Sequence, residues 1–243
     1  MTPVDVLFAG ATGLVGAQAL PVLLRRADAE GFRVFTVGRR PPLVTHDRLV
    51  ALEWVAQAGA AGHRVSAELE RHGARLGSFV CALGTTISQA GSREAFARVD
   101  HDLVVSLARA ARGRGATQAV VVSSVGADAA ASNFYLSVKG DMECSVLGLG
   151  FMRCDFLHPG LLLGQRDGPS RPAEWLGQRV FPMLRPLLRG GLRRYRAIDA
   201  AQVAAALAAL VGRQAHGVFV HNNGAIEEIA QSHGHGSGNH HPE

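Results

Sequence analysis

Two groups of residues in this chain of 243 have the types and spacing to do chemistry. Tyr135 and Lys139 stand four apart in a stretch, Tyr135 to Leu147, whose apolar pattern predicts a helix. That spacing puts a phenol and an ammonium on one helix face, a turn apart. A nearby cation favours the phenolate, which makes the tyrosine a usable general acid toward a carbonyl being reduced. Ser123 and Ser124 close the apolar run Thr117 to Val122, which reads as a strand. Open α/β sheets bind ligands at the carboxyl ends of their strands, so a hydroxyl there can donate to the same carbonyl oxygen. Taken alone, a Y-x-x-x-K spacing is weak, since an exposed pair of this kind is worth only a few tenths of a kcal/mol.

The second group is the turn Gly10-Ala11-Thr12-Gly13-Leu14-Val15-Gly16. It lies between an apolar run, Val4 to Ala9, and a helical pattern, Leu14 to Arg26, with Leu14, Ala17, Leu20 and Leu24 on one face. Gly10 permits the tight turn, Gly13 lets a pyrophosphate approach the backbone, and Gly16 lets the helix pack close, while the helix N-terminus offers N–H groups to an anion. The end of the second strand of such a unit reads the adenosine ribose, an acid for a free 2′-hydroxyl or an arginine for a 2′-phosphate. Here that position is Gly38-Arg39-Arg40. A guanidinium forks two hydrogen bonds onto a phosphate, and no carboxylate is present, so NADP(H) is expected over NAD(H).

The elements that must position these groups alternate. Strands are expected at Arg33 to Val37, Arg48 to Val55, Ser78 to Leu83, Phe151 to Leu157 and Gly217 to Val220, besides the two already named. Ser92 to Arg112 predicts one long helix with Phe96, Val99, Leu103 and Leu107 on its apolar face. Asp199 to Val211 predicts another, N-capped by Asp199. Short apolar strands alternating with helices imply an α/β fold, a doubly wound parallel sheet. The chain reads as a single domain over residues 1–230, with a small C-terminal substrate lobe inserted at about 165–196, where four prolines break the alternation. Residues 231–243 form a His-rich tail expected to be disordered.

In order and spacing, the Gly10 turn, Ser124, Tyr135 and Lys139 resemble an atypical short-chain dehydrogenase/reductase. More narrowly, Ala82-Leu83-Gly84-Thr85-Thr86, Ala90-Gly91-Ser92, Val99-Asp100, Ser123 to Asp128, Ser132 to Tyr135, Lys139-Gly140, Pro159-Gly160 and Arg171 to Trp175 resemble the Tat-interactive-protein (oxidoreductase HTATIP2-like) group. The resemblance runs from about Val4 to Val220. It implies that Lys139 holds the nicotinamide ribose and assists Tyr135, and that Ser124 orients the substrate carbonyl. Ser123 is the competing choice, because the register of the strand end decides between them. It also implies that Leu83, Gly84 and Thr85 line the cofactor and that Pro159 and Gly160 sit near its carboxamide. The expected activity is NADP(H)-dependent reduction of a small-molecule carbonyl substrate. The alternative is a non-catalytic NADP(H)-binding redox sensor or regulator acting on a protein partner. A sugar-nucleotide epimerase would use the same Ser, Tyr and Lys, and Arg39 argues against its NAD.

Composition sets outer bounds. Lysine and arginine exceed the acids, 25 to 20, which favours anionic ligands, and the basic lobe reads as a solvated face without the aromatic interleaving of a nucleic-acid groove. No apolar run approaches the roughly 18 residues that span a bilayer. Cys81, Cys144 and Cys154 form no C-x-x-C pair and lie in apolar stretches that read as core, as do Met142 and Met152. Reduced thiols lead to the expectation of a cytoplasmic protein. No metal is expected: His233, His235, His240 and His241 lie in a tail without fixed geometry. Oligomeric state is not legible from the sequence.

Overall fold

Strands whose both faces are covered by helices read as continuous apolar runs, because neither face meets water. Val34–Val37 and Gln118–Val122 are buried at every position. The computed structural model describes residues 4–52, 58–164 and 196–234. Its main sheet contains β1 (Asp5–Ala9), β2 (Val34–Val37), β3 (Leu49–Leu52), β4 (Leu76–Cys81), β5 (Gln118–Val122), β6 (Arg153–His158) and β9 (Gly217–Asn222). All seven pair in parallel in the order β3-β2-β1-β4-β5-β6-β9. A small parallel pair, β7 (Leu162–Leu163) and β8 (Ile198–Asp199), lies apart from it. The chain reverses its direction of travel between β1 and β4, which opens the crevice where doubly wound sheets take ligands.

Successive strand side chains point to opposite faces, and the two faces feed two cores. Val6 and Phe8 of β1 face α1 (Gly16–Glu30), while Leu7 and Ala9 face the opposite helix layer. That opposite layer contains α2 (Ala58–Arg71), a helix unanticipated from the sequence although Ala61, Val65 and Leu69 form a regular buried stripe. After β4 come two short helices, α3 (Ile87–Ala90) and α4 (Arg93–Ala97), then a π-helical turn (Arg98–Leu103) and α5 (Val104–Gly113). α6 (Phe134–Leu147) completes this layer, and α7 (Ala200–Leu210) and α8 (Asn223–Gly234) join α1 on the other.

Several expectations need correction. The buried stripe of α1 is Gly16, Ala19, Leu20, Leu23, Leu24 and Ala27, which leaves Ala17 exposed and Leu14 half-buried before the helix. The long helix from Ser92 is not uniform: the π-helical turn carries Asp100 onto the buried face and leaves Val99 half-buried. Cys144 and Met152 are exposed rather than core, whereas Cys81, Cys154 and Met142 are buried. Helix α8 runs through Gln231 to Gly234, because Ile226 anchors it in the core and the Ser232 hydroxyl bonds the Glu228 carbonyl. Asp199 does cap α7, accepting from the Ala201 N–H at 2.8 Å. Trp54, Trp175, the lobe from 165 to 195 and the tail from 235 lie outside the described residues. Among the described residues no helix is long and apolar enough to cross a membrane.

Candidate active site

Because the sheet is parallel, the carboxyl ends of β1, β4, β5 and β6 share one edge, and every expected site residue except the two arginines follows one of those ends or lies on α6. Gly10 takes φ +88°, and a Cβ there would stand 2.5 Å from the Ala82 carbonyl carbon at the end of β4. A Cβ on Gly16 would stand 2.0 Å from the Gly10 carbonyl oxygen. The turn is thus packed backbone to backbone, closed by the Gly13 N–H donating to the Gly10 carbonyl at 3.0 Å. Thr12 is exposed above it and Ala11 and Val15 are buried below.

Beside the turn lies a shallow, open recess lined by Ala11, Thr12, Thr36, Val37, Gly38, Arg40 and the Pro41-Pro42 pair, together with Ala51 and Leu52. Of the two arginines, Arg40 lines this recess and Arg39 does not; both are exposed. The Thr36 hydroxyl is buried in the same place with no hydrogen-bond partner among the described residues. These features fit the ribose end of a dinucleotide: a backbone cradle too tight for side chains, an orphaned hydroxyl and a guanidinium at the rim.

The catalytic candidates gather on and around α6. Asn133 caps this helix, accepting from the Leu136 N–H, which fixes where Tyr135 and Lys139 fall on its first turns. Tyr135 is half-buried, its ring centroid 5.5 Å from that of Phe96. Lys139 is buried, with its Nζ 2.7 Å from Asp100 Oδ1, and Asp100 Oδ2 accepts from the Thr85 N–H at 2.9 Å. Burial alone would lower the Lys139 pKa, but the Asp100 carboxylate, with Tyr135 adding to it, outweighs that and holds the ammonium above the ordinary lysine value. Thr85 is thereby tied to α6, while Leu83 is half-buried and Gly84 exposed.

The two serines diverge. Ser123 is buried and donates to the Glu143 carboxylate, whose same oxygen also meets His158 Nε2 at 2.8 Å. Ser124 is half-buried, and among the described residues its hydroxyl has only a 3.5 Å contact with the adjacent Val125 carbonyl. The Val125 N–H donates to the Pro159 carbonyl at 3.1 Å, which draws the serine loop and the Pro159-Gly160 turn together. Gly160 donates to the Asn223 side chain at 2.9 Å.

Sequence reasoning assigned no role to Asp100, Glu143 or His158. A signal existed for each acid. Asp100 lies four residues beyond the buried Phe96 and three before the buried Leu103, a carboxylate on an apolar stripe. Glu143 continues the Tyr135, Lys139 face at the next turn.

No family model matches the chain. It is 37% identical over 158 residues to "Protein FMP52-1, mitochondrial" of Scheffersomyces stipitis, covering 65% of this chain and 67% of that one. It is 37% identical over 177 residues to "Protein fmp52, mitochondrial" of Emericella nidulans, covering 70% and 71%. The Aspergillus niger protein of that name is 34% identical over 213 residues, covering 83% and 84%. Among solved structures, the Bordetella bronchiseptica enzyme WbmH in complex with NAD+ superposes with a TM-score of 0.64 at 17% identity, over 99% of this chain and 84% of that one. The ligand-free aldohexose dehydrogenase of Thermoplasma acidophilum gives 0.59 at 16%, over 99% and 98%. At such identities the structural likeness speaks for the Rossmann-type fold. The cytoplasmic placement expected from cysteine usage is overturned by the sequence relatives, which are named as mitochondrial proteins. Free thiols report a reducing environment and do not single out one compartment.

Proposed function

The chain belongs to the FMP52 family, and on that footing we propose that it is an NADP(H)-dependent oxidoreductase of the atypical short-chain dehydrogenase/reductase type, reducing a carbonyl-type substrate. The observation that carries this reading is the buried, charged Lys139 on α6 one turn beyond Tyr135, at the sheet edge that also holds the glycine turn and Ser124. The Ser123 to Asp128, Ser132 to Tyr135 and Lys139-Gly140 stretches, which resemble the Tat-interactive-protein group, support the same reading. Solved structures of this fold in complex with NAD support a nicotinamide dinucleotide as the cofactor class.

In this reading Gly10 to Gly16 cradle the pyrophosphate, Arg40 meets the 2′-phosphate, Leu83 to Thr85 and Pro159-Gly160 flank the nicotinamide half, and Lys139 holds its ribose. When bound, NADPH supplies the hydride. The chain's own residues handle the oxygen: Ser124 donates a hydrogen bond to the substrate carbonyl, Tyr135 gives up its phenolic proton to it, and the Lys139 charge stabilises the phenolate left behind.

Two measurements test this. Fluorescence titration is expected to show tighter binding of NADPH than NADH, with Arg40→Ala weakening NADPH by roughly 10- to 100-fold, as for loss of charge-assisted hydrogen bonds. Equal or tighter NADH binding sinks the NADP(H) assignment. In a carbonyl screen, Tyr135→Phe should keep NADPH affinity and lose turnover by about 10²-fold or more. Unchanged turnover sinks the proton-donor role, and NADPH binding without turnover on any carbonyl favours the regulator.

A further inference from the structure

Among the described residues three arginines hold the guanidinium over an aromatic ring, and two of them share one construction. Arg33 lies 5.0 Å from the Phe35 ring centroid and Arg153 4.1 Å from that of Phe219. In each, Nε and Nη2 reach the two oxygens of one aspartate. Arg33 meets Asp5 at 3.2 and 2.8 Å, and Arg153 meets Asp155 at 2.6 and 2.7 Å. The ring takes the face of the guanidinium, and the N–H groups in its plane stay directed at a carboxylate.

The third is Arg93, the exposed first residue of α4, whose guanidinium lies 5.1 Å from the Phe134 ring centroid. Here the ring is present, but among the described residues no carboxylate forks onto Arg93. The adjacent Glu94 is committed elsewhere: its own N–H and the Ser92 hydroxyl hold its carboxyl below the ordinary glutamate value, with Arg98 and Arg93 contributing less. Position sets this arginine apart from the other exposed ones. Phe134 directly precedes Tyr135 on α6, and Phe96 of α4 touches both, its ring centroid 6.0 Å from that of Phe134 and 5.5 Å from that of Tyr135. Stacking restricts the long side chain in advance, so an oxyanion meeting its edge has less ordering left to impose.

We propose that Arg93, backed by Phe134, anchors a carboxylate carried by the carbonyl compound, so that the substrate class is an aldehydo or keto acid. The proposal rests on the reductase reading of Tyr135 and deepens it by naming what the substrate carries. The substrate carboxylate takes the part that Asp5 and Asp155 play at the other two stacked arginines. Its oxygens meet the guanidinium edge while the carbonyl extends toward Tyr135 and Ser124.

The test compares acids with their esters. Full-length protein with NADPH is assayed on succinic semialdehyde and 4-carboxybenzaldehyde, each against its methyl ester, which keeps the carbonyl and removes the charge. The acids should be preferred about tenfold or more in kcat/KM. Arg93→Met keeps an unbranched stem against the ring and loses the donors. It should cut the acid-to-ester ratio by roughly 10- to 100-fold, chiefly through the KM of the acid, as for lost charge-assisted hydrogen bonds. Arg93→Lys keeps a point charge without the fork and should retain only part of the ratio. Esters reduced as well as the acids, or an Arg93→Met ratio equal to the wild type, overturns the proposal. A protein that reduces neither acids nor esters counts against the reductase reading, and binding then decides the anchor. In calorimetry on the NADP+-loaded protein, 4-carboxybenzaldehyde should bind Arg93→Met about tenfold or more weakly than wild type. Equal binding, or none to the wild type, overturns the anchor.

Discussion

Ser123 and Ser124 are neighbours in sequence yet meet different surroundings, because successive side chains at a strand end point to opposite sides. Ser123 is turned in to Glu143, whereas the Ser124 hydroxyl meets the adjacent Val125 carbonyl at 3.5 Å at the carboxyl edge. Ser123→Ala should cost about 1–2 kcal/mol in urea unfolding, the penalty of removing one partner from a buried hydrogen bond. Ser124→Ala should leave stability within ~0.5 kcal/mol while lowering kcat by about 10²-fold, a loss typical of one donor to a developing oxyanion. The opposite pattern would move the proposed catalytic role from Ser124 to Ser123. The cysteines sort by the same logic of exposure. Burial pushes the Cys81 thiol up to about 12 and Cys154 up to about 11, whereas Cys144 is exposed on α6. The thiolate is the reactive form, so iodoacetamide on the native protein at pH 8 should modify Cys144 first, as read by peptide mass spectrometry.

At the scale of elements, the glycine turn and α1 form a unit whose geometry is set by backbone contacts. The Gly16 Cβ position meets the Gly10 carbonyl oxygen at 2.0 Å, and a carbonyl cannot swing aside as a side chain can. Gly16→Ala should therefore push α1 off β1, costing at least the ~1–3 kcal/mol of an overpacked site and weakening NADPH binding as well. A variant with wild-type melting temperature and NADPH affinity would show that the contact relaxes freely. The helix after β4 makes a related point. Its amphipathic pattern was plain, but a pattern counted at 3.6 residues per turn places Val99 inward, and the π-helical turn gives that face to Asp100 instead.

Across the whole molecule, a second polar network away from the site joins four strands. Arg153 pairs with Asp155 at 2.6 Å, His221 and Gln118 also reach Asp155, and Gln118 accepts from Ser78 and from the Gly212 N–H. The Arg153 guanidinium lies 4.1 Å from the Phe219 ring centroid, so the edge strand β9 is held by charge and ring together. Burial raises the Asp155 pKa, but hydrogen bonds from His221, Arg153 and Gln118 outweigh it, and the net shift is downward. A carboxylate with a depressed folded pKa gives stability that is present above its unfolded value, about 3.9, and lost as pH falls through the lower folded value. Lys139, raised in the fold, acts in the other sense: its contribution is complete below the unfolded lysine value near 10.4 and lost as pH climbs through the folded one. Asp155→Asn should cost about 3–5 kcal/mol at pH 7, since it strands the buried Arg153 charge, and should flatten the acid limb of the stability profile. Urea unfolding from pH 3 to pH 8 measures both.

The seven strands of the main sheet, their parallel sense, the glycine turn between strand and helix, the Asp199 cap and the four-residue spacing of Tyr135 and Lys139 were legible in the sequence. Each is a local property, read from apolar runs, glycines and spacing along one segment. Tertiary structure alone decided which arginine borders the recess, which serine bonds Glu143, and which acid meets Lys139. Those outcomes depend on how separate segments approach one another: Asp100 and Lys139 are far apart in the chain and adjacent only because a π-helical turn and α6 pack on the same face of the sheet. The chemistry-bearing residues announce themselves one at a time, while their partners are chosen by packing.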